Sequence, residues 1–150
     1  MTKQDVLKAE TVIQAVSEAF ENMAFLEAVP NTEKKVPGVQ NSCYSKIEIL
    51  SPFSGYVAVV CNESVATDIT KAVFGDISHS QAELKKLDTL GEMVNTIAGR
   101  LLYHSAGGRE PFELGLPNVG HGLTWDTKEV DIYSFTVDQN ILLVIIYIAR

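Results

Sequence analysis

The sequence predicts an α+β fold in a single domain spanning residues 1–150. Its expected architecture is an antiparallel sheet of about six strands with two long helices packed on one face, built as a duplicated unit. Three observations lead there. Two long amphipathic stretches, one opening at Thr2 and one at Ser80, are each followed by short runs of strand character. The chain closes on a hairpin pattern. The two helical stretches also align with each other at a fixed offset.

The first helix opens at Thr2-x-x-Asp5, the spacing of a capping box, and is predicted to run to about Ala28, where Val29-Pro30 stops it. Pro30 to Ser42, with Pro37-Gly38 inside it, reads as a loop. Cys43 to Leu50 and Gly55 to Cys61 read as strands joined by a turn at Ser51-Pro52-Phe53-Ser54. In the first strand Ile47 and Ile49 alternate with Lys46 and Glu48, so one face is wet and one is packed. Asn62 or Ser64 can cap a short helix from Val65 to Phe74, which Gly75 ends.

The second half repeats this order. Ser80-x-x-Glu83 has the spacing of a capping box and opens a long helix that ends near Ala106-Gly107-Gly108. After Arg109-Glu110-Pro111 come candidate strands Phe112 to Leu116 and His121 to Trp125, then a hairpin of Val130 to Val137 with Ile141 to Ile148 across Asp138-Gln139-Asn140. Leu142 to Ile148 is apolar on both faces, which places it at the sheet centre or at an edge completed by another chain. Setting Ser17 against Asp88 aligns Glu21 with Glu92, Ala24 with Asn95 and Ala28 with Gly99. The first helix then carries the same polar stripe with alanine in place of the carboxamide.

Composition narrows the function. An apolar fraction of 46% and a charged fraction of 21% are those of a globular domain. The net charge is −7, and the basic residues cluster no further than Lys34-Lys35 and Lys85-Lys86. Nucleic acid is a poor partner for such a chain, because phosphate neutralisation supplies most of that affinity. Met1-Thr2-Lys3-Gln4-Asp5 has no apolar signal core and Ile141 to Ala149 is too short to span a bilayer, so no membrane role and a cytoplasmic location are expected. Cys43 and Cys61 are expected as buried thiols, and His79, His104 and His121 are too dispersed for a metal site. His104 suits the negative end of a helix dipole, and Trp125 is expected in the core or an interface.

The residues that carry chemistry lie on the second long helix. Leu87, Leu90, Val94, Ile97, Ala98 and Leu101 form its apolar stripe. At about 100° per residue, Asp88, Glu92, Asn95 and Gly99 fall within roughly 60° of one another on a separate stripe. A carboxylate and a carboxamide one turn apart can grip a cation and aim a water. The glycine leaves room for a close approach, at about 1 kcal/mol of helix stability relative to alanine. Taken alone, such a stripe is also what an ordinary solvated helix face looks like.

Asp88, Glu92 and Asn95 resemble the D/S-x3-E-x2-N motif of the CheX/CheC/FliY family of chemotaxis phosphatases, and one intact copy on the second helix is CheX-like. Ile97-Ala98-Gly99-Arg100 and Leu114-x-Leu116-Pro117 leading to Gly120 are similar to that family as well. The resemblance implies a CheC-like duplicated unit and a phosphatase that removes the aspartyl phosphate of a CheY-like response regulator, ending a chemotaxis-type signal. It implies that Asn95 orients the attacking water, that Glu92 pairs with the partner's active-site lysine, that Asp88 has a supporting rather than a chemical role, positioning the other two or meeting the partner's surface, and that Gly99 admits the partner's backbone. No metal is expected on this chain; the Mg2+ of the reaction belongs to the response regulator. A homodimer through the sheet is expected. The alternative is a non-catalytic module binding a response regulator or a flagellar-switch component on the same fold.

Overall fold

The sheet is built around a hairpin whose two-residue turn dictates its twist. β6 (Val130–Val137) and β7 (Asn140–Ile148) pair in register from Val130↔Tyr147 to Val137↔Asn140 in a computed structural model that describes residues 1–32 and 42–149. Asp138 and Gln139 at its tip have φ of 49° and 68°, the left-handed pair that matches the twist of tight hairpins.

The remaining strands extend from this pair. β1 (Ala28–Pro30) adds to β6, and β3 (Gly55–Asn62) adds to β7. β2 (Ser42–Ser51) pairs with β3, and β4 (Glu113–Leu114) and β5 (Asn118–His121) both pair with β2. Among the described residues the sheet has seven strands in the order β1-β6-β7-β3-β2-β4, with β5 beside β2, and every pairing is antiparallel. The expected sheet is therefore present with one strand more. Pro30, read as the start of a loop, instead ends β1; most of that loop lies outside the described residues.

Among the described residues all helices lie on one face: α1 (Lys3–Val6), α2 (Ala9–Ala24), α3 (Glu63–Phe74) and α4 (His79–Ser105). Val16 and Phe20 of α2, Ile69 of α3 and Leu90, Val94, Ile97 and Leu101 of α4 are buried against Ile47, Val57, Val59 and Val144 of the sheet. The predicted apolar stripe of α4 is buried except at Leu87, which is half-buried. At roughly 1.5–3 kcal/mol per fully buried large apolar side chain, this face is the main source of stability. The opposite sheet face has its own smaller core of Ala58, Val60, Leu143 and Ile145. β7 lies between β3 and β6, and it packs Leu142, Val144 and Ile146 into the helix-side core and Leu143 and Ile145 into the outer one, so its two apolar faces are accounted for within the chain.

Several boundaries differ from expectation, each for a physical reason. The first helix is two helices. Thr2 and Asp5 do form a capping box, but on the short α1. The chain breaks at Leu7 and Lys8, where the Tyr133 hydroxyl donates to the Leu7 carbonyl at 2.8 Å. α2 stops at Ala24 rather than Ala28, because Phe25 turns left-handed with φ 55° and its N–H bonds back to the Glu21 carbonyl. The box that caps α4 is Ser78 with Gln81, not Ser80 with Glu83. The Glu83 carboxylate is taken by Thr67 at 2.8 Å and Lys86 at 2.7 Å. Strand character at His121 to Trp125 ends at His121, since Gly122 (φ 71°) turns the chain across the outer sheet face, where Leu123 and Trp125 cover the second core.

Cys43 and Cys61 are buried free thiols, directly opposite each other on β2 and β3. The Cys43 Sγ lies 3.6 Å from the Cys61 carbonyl oxygen. Its hydrogen bond with Cys43, and then burial, push the Cys61 thiol well up.

Candidate functional site

The side chains on the outer face of α4 are held by what lies behind them. Met93, Val94, Ile97 and Ala98 are fully buried, so the rotation of the helix about its axis is fixed by the core. Asp88, Glu92 and Asn95 consequently stand exposed, with Gly99 half-buried beside them. The structure thus brings the four predicted site residues onto one open face. Among the described residues, none of the Asp88, Glu92 and Asn95 side chains has a hydrogen bond or ion pair within the chain.

Both ends of α4 are tied down. Near its start the Lys86 ammonium lies 2.7 Å from Glu83 and 3.4 Å from Glu63, and His121 of β5 meets the same Glu63 at 2.8 Å. The Glu83 bond, ahead of the pull of Glu63, raises the Lys86 pKa, and Lys86 with Thr67 lowers that of Glu83. Toward its end, Arg100 and His104 both reach Glu18 of α2, at 2.7 and 3.0 Å. His104, then Arg100 and Gln14, hold the Glu18 carboxyl below its ordinary value of 4.5 against a desolvation cost. His104 thus bonds a neighbouring helix as well as sitting in the last turn of its own.

The glycines of α4 differ in kind. At Gly91 a Cβ would lie 3.4 Å from both Pro117 Cβ and Val119 Cγ1, so the segment leading from Leu114 to Gly120 packs flush on the helix. A Cβ at Gly99 would meet nothing within 4 Å. The fold itself makes no use of the missing side chain at Gly99.

The half-copy of the stripe on α2 is only partly assembled, although Ser17, Glu21 and Ala28 line one cleft with Phe25, Leu26 and Glu27. Ser17 and Glu21 are accessible, but Ala24 is 2% exposed and the helix ends there, so Ala28, aligned with Gly99, belongs to β1. Among the described residues no group of three or more His, Cys, Asp and Glu side chains could hold a metal ion, and no helix is long and apolar enough to cross a membrane. Sequence reasoning missed the ground beside Asp88 and Glu92, where Met23, Val73 and Phe74 line a cleft against α4. The only signal was a phenylalanine at the last turn of a helix, immediately before its terminating Gly75.

This arrangement has counterparts. The protein family described as chemotaxis phosphatase CheX matches residues 43–137, which contain the whole of α3 and α4 and the strands β3 to β6 but neither β1 nor β7. No curated protein matches the chain. Among solved structures, CheX from Desulfovibrio desulfuricans is 22% identical with a TM-score of 0.73, over 94% of this chain and 98% of that one. A CheC-like superfamily protein from Shewanella is 18% identical with a TM-score of 0.77, over 100% of both chains. The matching chain of a Borrelia burgdorferi CheX–CheY complex with beryllofluoride and Mg2+ is 17% identical, with a TM-score of 0.75 over 94% and 97%. At these identities the structures establish a shared fold. The match over 43–137 establishes descent, and by it this chain is a member of the chemotaxis phosphatase CheX family.

Proposed function

We propose that this chain hydrolyses the aspartyl phosphate of a CheY-like response regulator in the cytoplasm and so ends a chemotaxis-type signal. The observation that carries the reading is the exposed, unpartnered pair Glu92 and Asn95 on a helix fixed by its buried face, in a member of the CheX family. The Borrelia burgdorferi CheX, of the same fold, was solved with CheY, beryllofluoride and Mg2+, which supports a receiver as the partner class.

An acyl phosphate is already activated, so the reaction needs a water held in line with phosphorus and stabilisation of the equatorial oxygens rather than a strong base. Asn95 suits this. It is neutral, so the phosphoryl group does not repel it; its carboxamide oxygen accepts from the water and its NH2 donates. Glu92, one turn back, pairs with the partner's active-site lysine and fixes the register of docking. Asp88 supports that docking and Gly99 admits the partner's backbone. The Mg2+ stays with the receiver, and this chain brings no cofactor. The chain works as a homodimer through its sheet, a reading supported by the half-buried Tyr56, Tyr147 and Ile132 on the face away from the helices.

The test is the rate of phosphate loss from a phosphorylated CheY-like receiver of the same cell, with wild type and Asn95→Ala compared. Removal of one water-positioning group should slow turnover by roughly 10²–10³ and leave the thermal midpoint unchanged, since Asn95 is exposed and unbonded. A variant retaining a third of wild-type turnover would overturn the assignment. Binding of the receiver without any hydrolysis would make the chain a docking module.

A further inference from the structure

Asp88 and Glu92 face more than open solvent. They form one wall of a cleft of about 230 Å³ that opens where three helices meet. Its floor is Met23 near the end of α2 with Val73 and Phe74 at the end of α3. Both helices stop at this point, α2 at the left-handed Phe25 and α3 at the left-handed Gly75 (φ 75°), so the chain turns aside and leaves the floor uncovered. Phe74 is 49% exposed as a result.

The chemistry of this cleft is specific. The ring face of Phe74 already takes a cation, the Lys85 ammonium, 5.2 Å from its centroid. The α4 side of the cleft is lined by Lys85, Asp88, Thr89 and Glu92, and its two carboxylates have no partner among the described residues. An apolar floor, an aromatic face that accepts positive charge and two unpaired carboxylates beside it suit one kind of occupant. It is a side chain with a long aliphatic stem and a cationic head.

We propose that this cleft is a docking pocket for a lysine or arginine of the phosphorylated receiver, lying outside the receiver's phosphorylation site. The stem lies on Met23, Val73 and Phe74, and the head meets Asp88, while Glu92 serves the active-site lysine. This rests on the receiver-phosphatase reading and deepens it. It gives Asp88 a partner and makes α3 a determinant of which receiver is accepted. Lys85 competes for the same ground, so it weakens docking.

Two exposed positions outside the polar stripe test this with opposite signs. Full-length wild type, Phe74→Ala and Lys85→Glu would be titrated with a beryllofluoride-activated CheY-like receiver of the same cell, and KM and kcat measured with the phosphorylated form. Phe74→Ala should raise Kd and KM about tenfold, and Lys85→Glu should lower both about threefold, with kcat within twofold in each. Loss of folding cannot produce opposite signs. If the wild type dephosphorylates the receiver and neither substitution moves Kd, the pocket is wrong and the phosphatase reading stands. If Phe74→Ala weakens binding but Lys85→Glu does not tighten it, the occupant is apolar and the cationic assignment is overturned. If the wild type neither binds nor dephosphorylates any such receiver, both readings fall together.

Discussion

Gly99 is a position where the described fold does not require the missing side chain. It sits inside a helix of 27 residues, where glycine costs about 1 kcal/mol relative to alanine, and a Cβ there would touch nothing. Gly99→Ala should therefore raise the thermal midpoint by about 2–4 °C. If the partner's backbone approaches at this point, the same change lowers turnover of a phosphorylated receiver. A variant that gains stability and keeps full turnover would show that nothing docks there. At this scale the candidate site was legible from sequence, because helical periodicity alone places Asp88, Glu92, Asn95 and Gly99 on one side and Leu90, Val94 and Ile97 on the other. The cleft was not legible, because Met23, Val73 and Asp88 come from three helices that only tertiary packing brings together.

Among elements, the bond between α2 and α4 rests on few polar contacts, and Glu18 is the centre of them. Its carboxyl is held below 4.5 by His104 and Arg100, so the folded state favours the charged form. The stability it contributes is present above its unfolded pKa and is lost as pH falls through the lower, folded value. Glu18→Gln should cost about 1 kcal/mol at pH 7, and urea midpoints should show the gap from wild type narrowing below pH 4.5. A gap independent of pH would mean that Glu18 acts through packing. Tyr133 responds at the other end of the scale: burial, with Asp131 beside it, pushes its hydroxyl up to about 12 while it holds the Leu7 carbonyl. Element identity was readable wherever periodicity was strong, as in β2, β6, β7 and α4. Element ends were not. Phe25 has no propensity for the left-handed turn that ends α2, and the break at Leu7 depends on a hydroxyl 126 residues away. Ser78 and Ser80 both have the capping spacing, and only the engagement of Glu83 by Lys86 and Thr67 decides between them.

The whole molecule has two unlike sides. The helical side presents the polar stripe and the cleft. The sheet side is half-covered, with the Tyr56 and Tyr147 rings 5.4 Å apart and the Lys46 ammonium 4.2 Å from the centre of Tyr56. The proposed homodimer uses that second side and leaves α4 of each copy free. Sedimentation at micromolar concentration should give twice the monomer mass, and a monomer there would rule the dimer out. The apolar character of β7 cannot serve as an argument for it, since both faces of that strand are packed within one chain.

Gly122 sends the chain across the outer face of the sheet and sets Trp125 down on Ala58, Val60, Leu143 and Ile145. This is the one tryptophan of the sequence, and the sheet separates it from α4. Its emission is therefore a built-in optical gauge of the sheet side, sensitive to whatever desolvates that face and silent toward a guest on the helices. The proposed self-association would register in the protein's own light, apart from any event on the helical side.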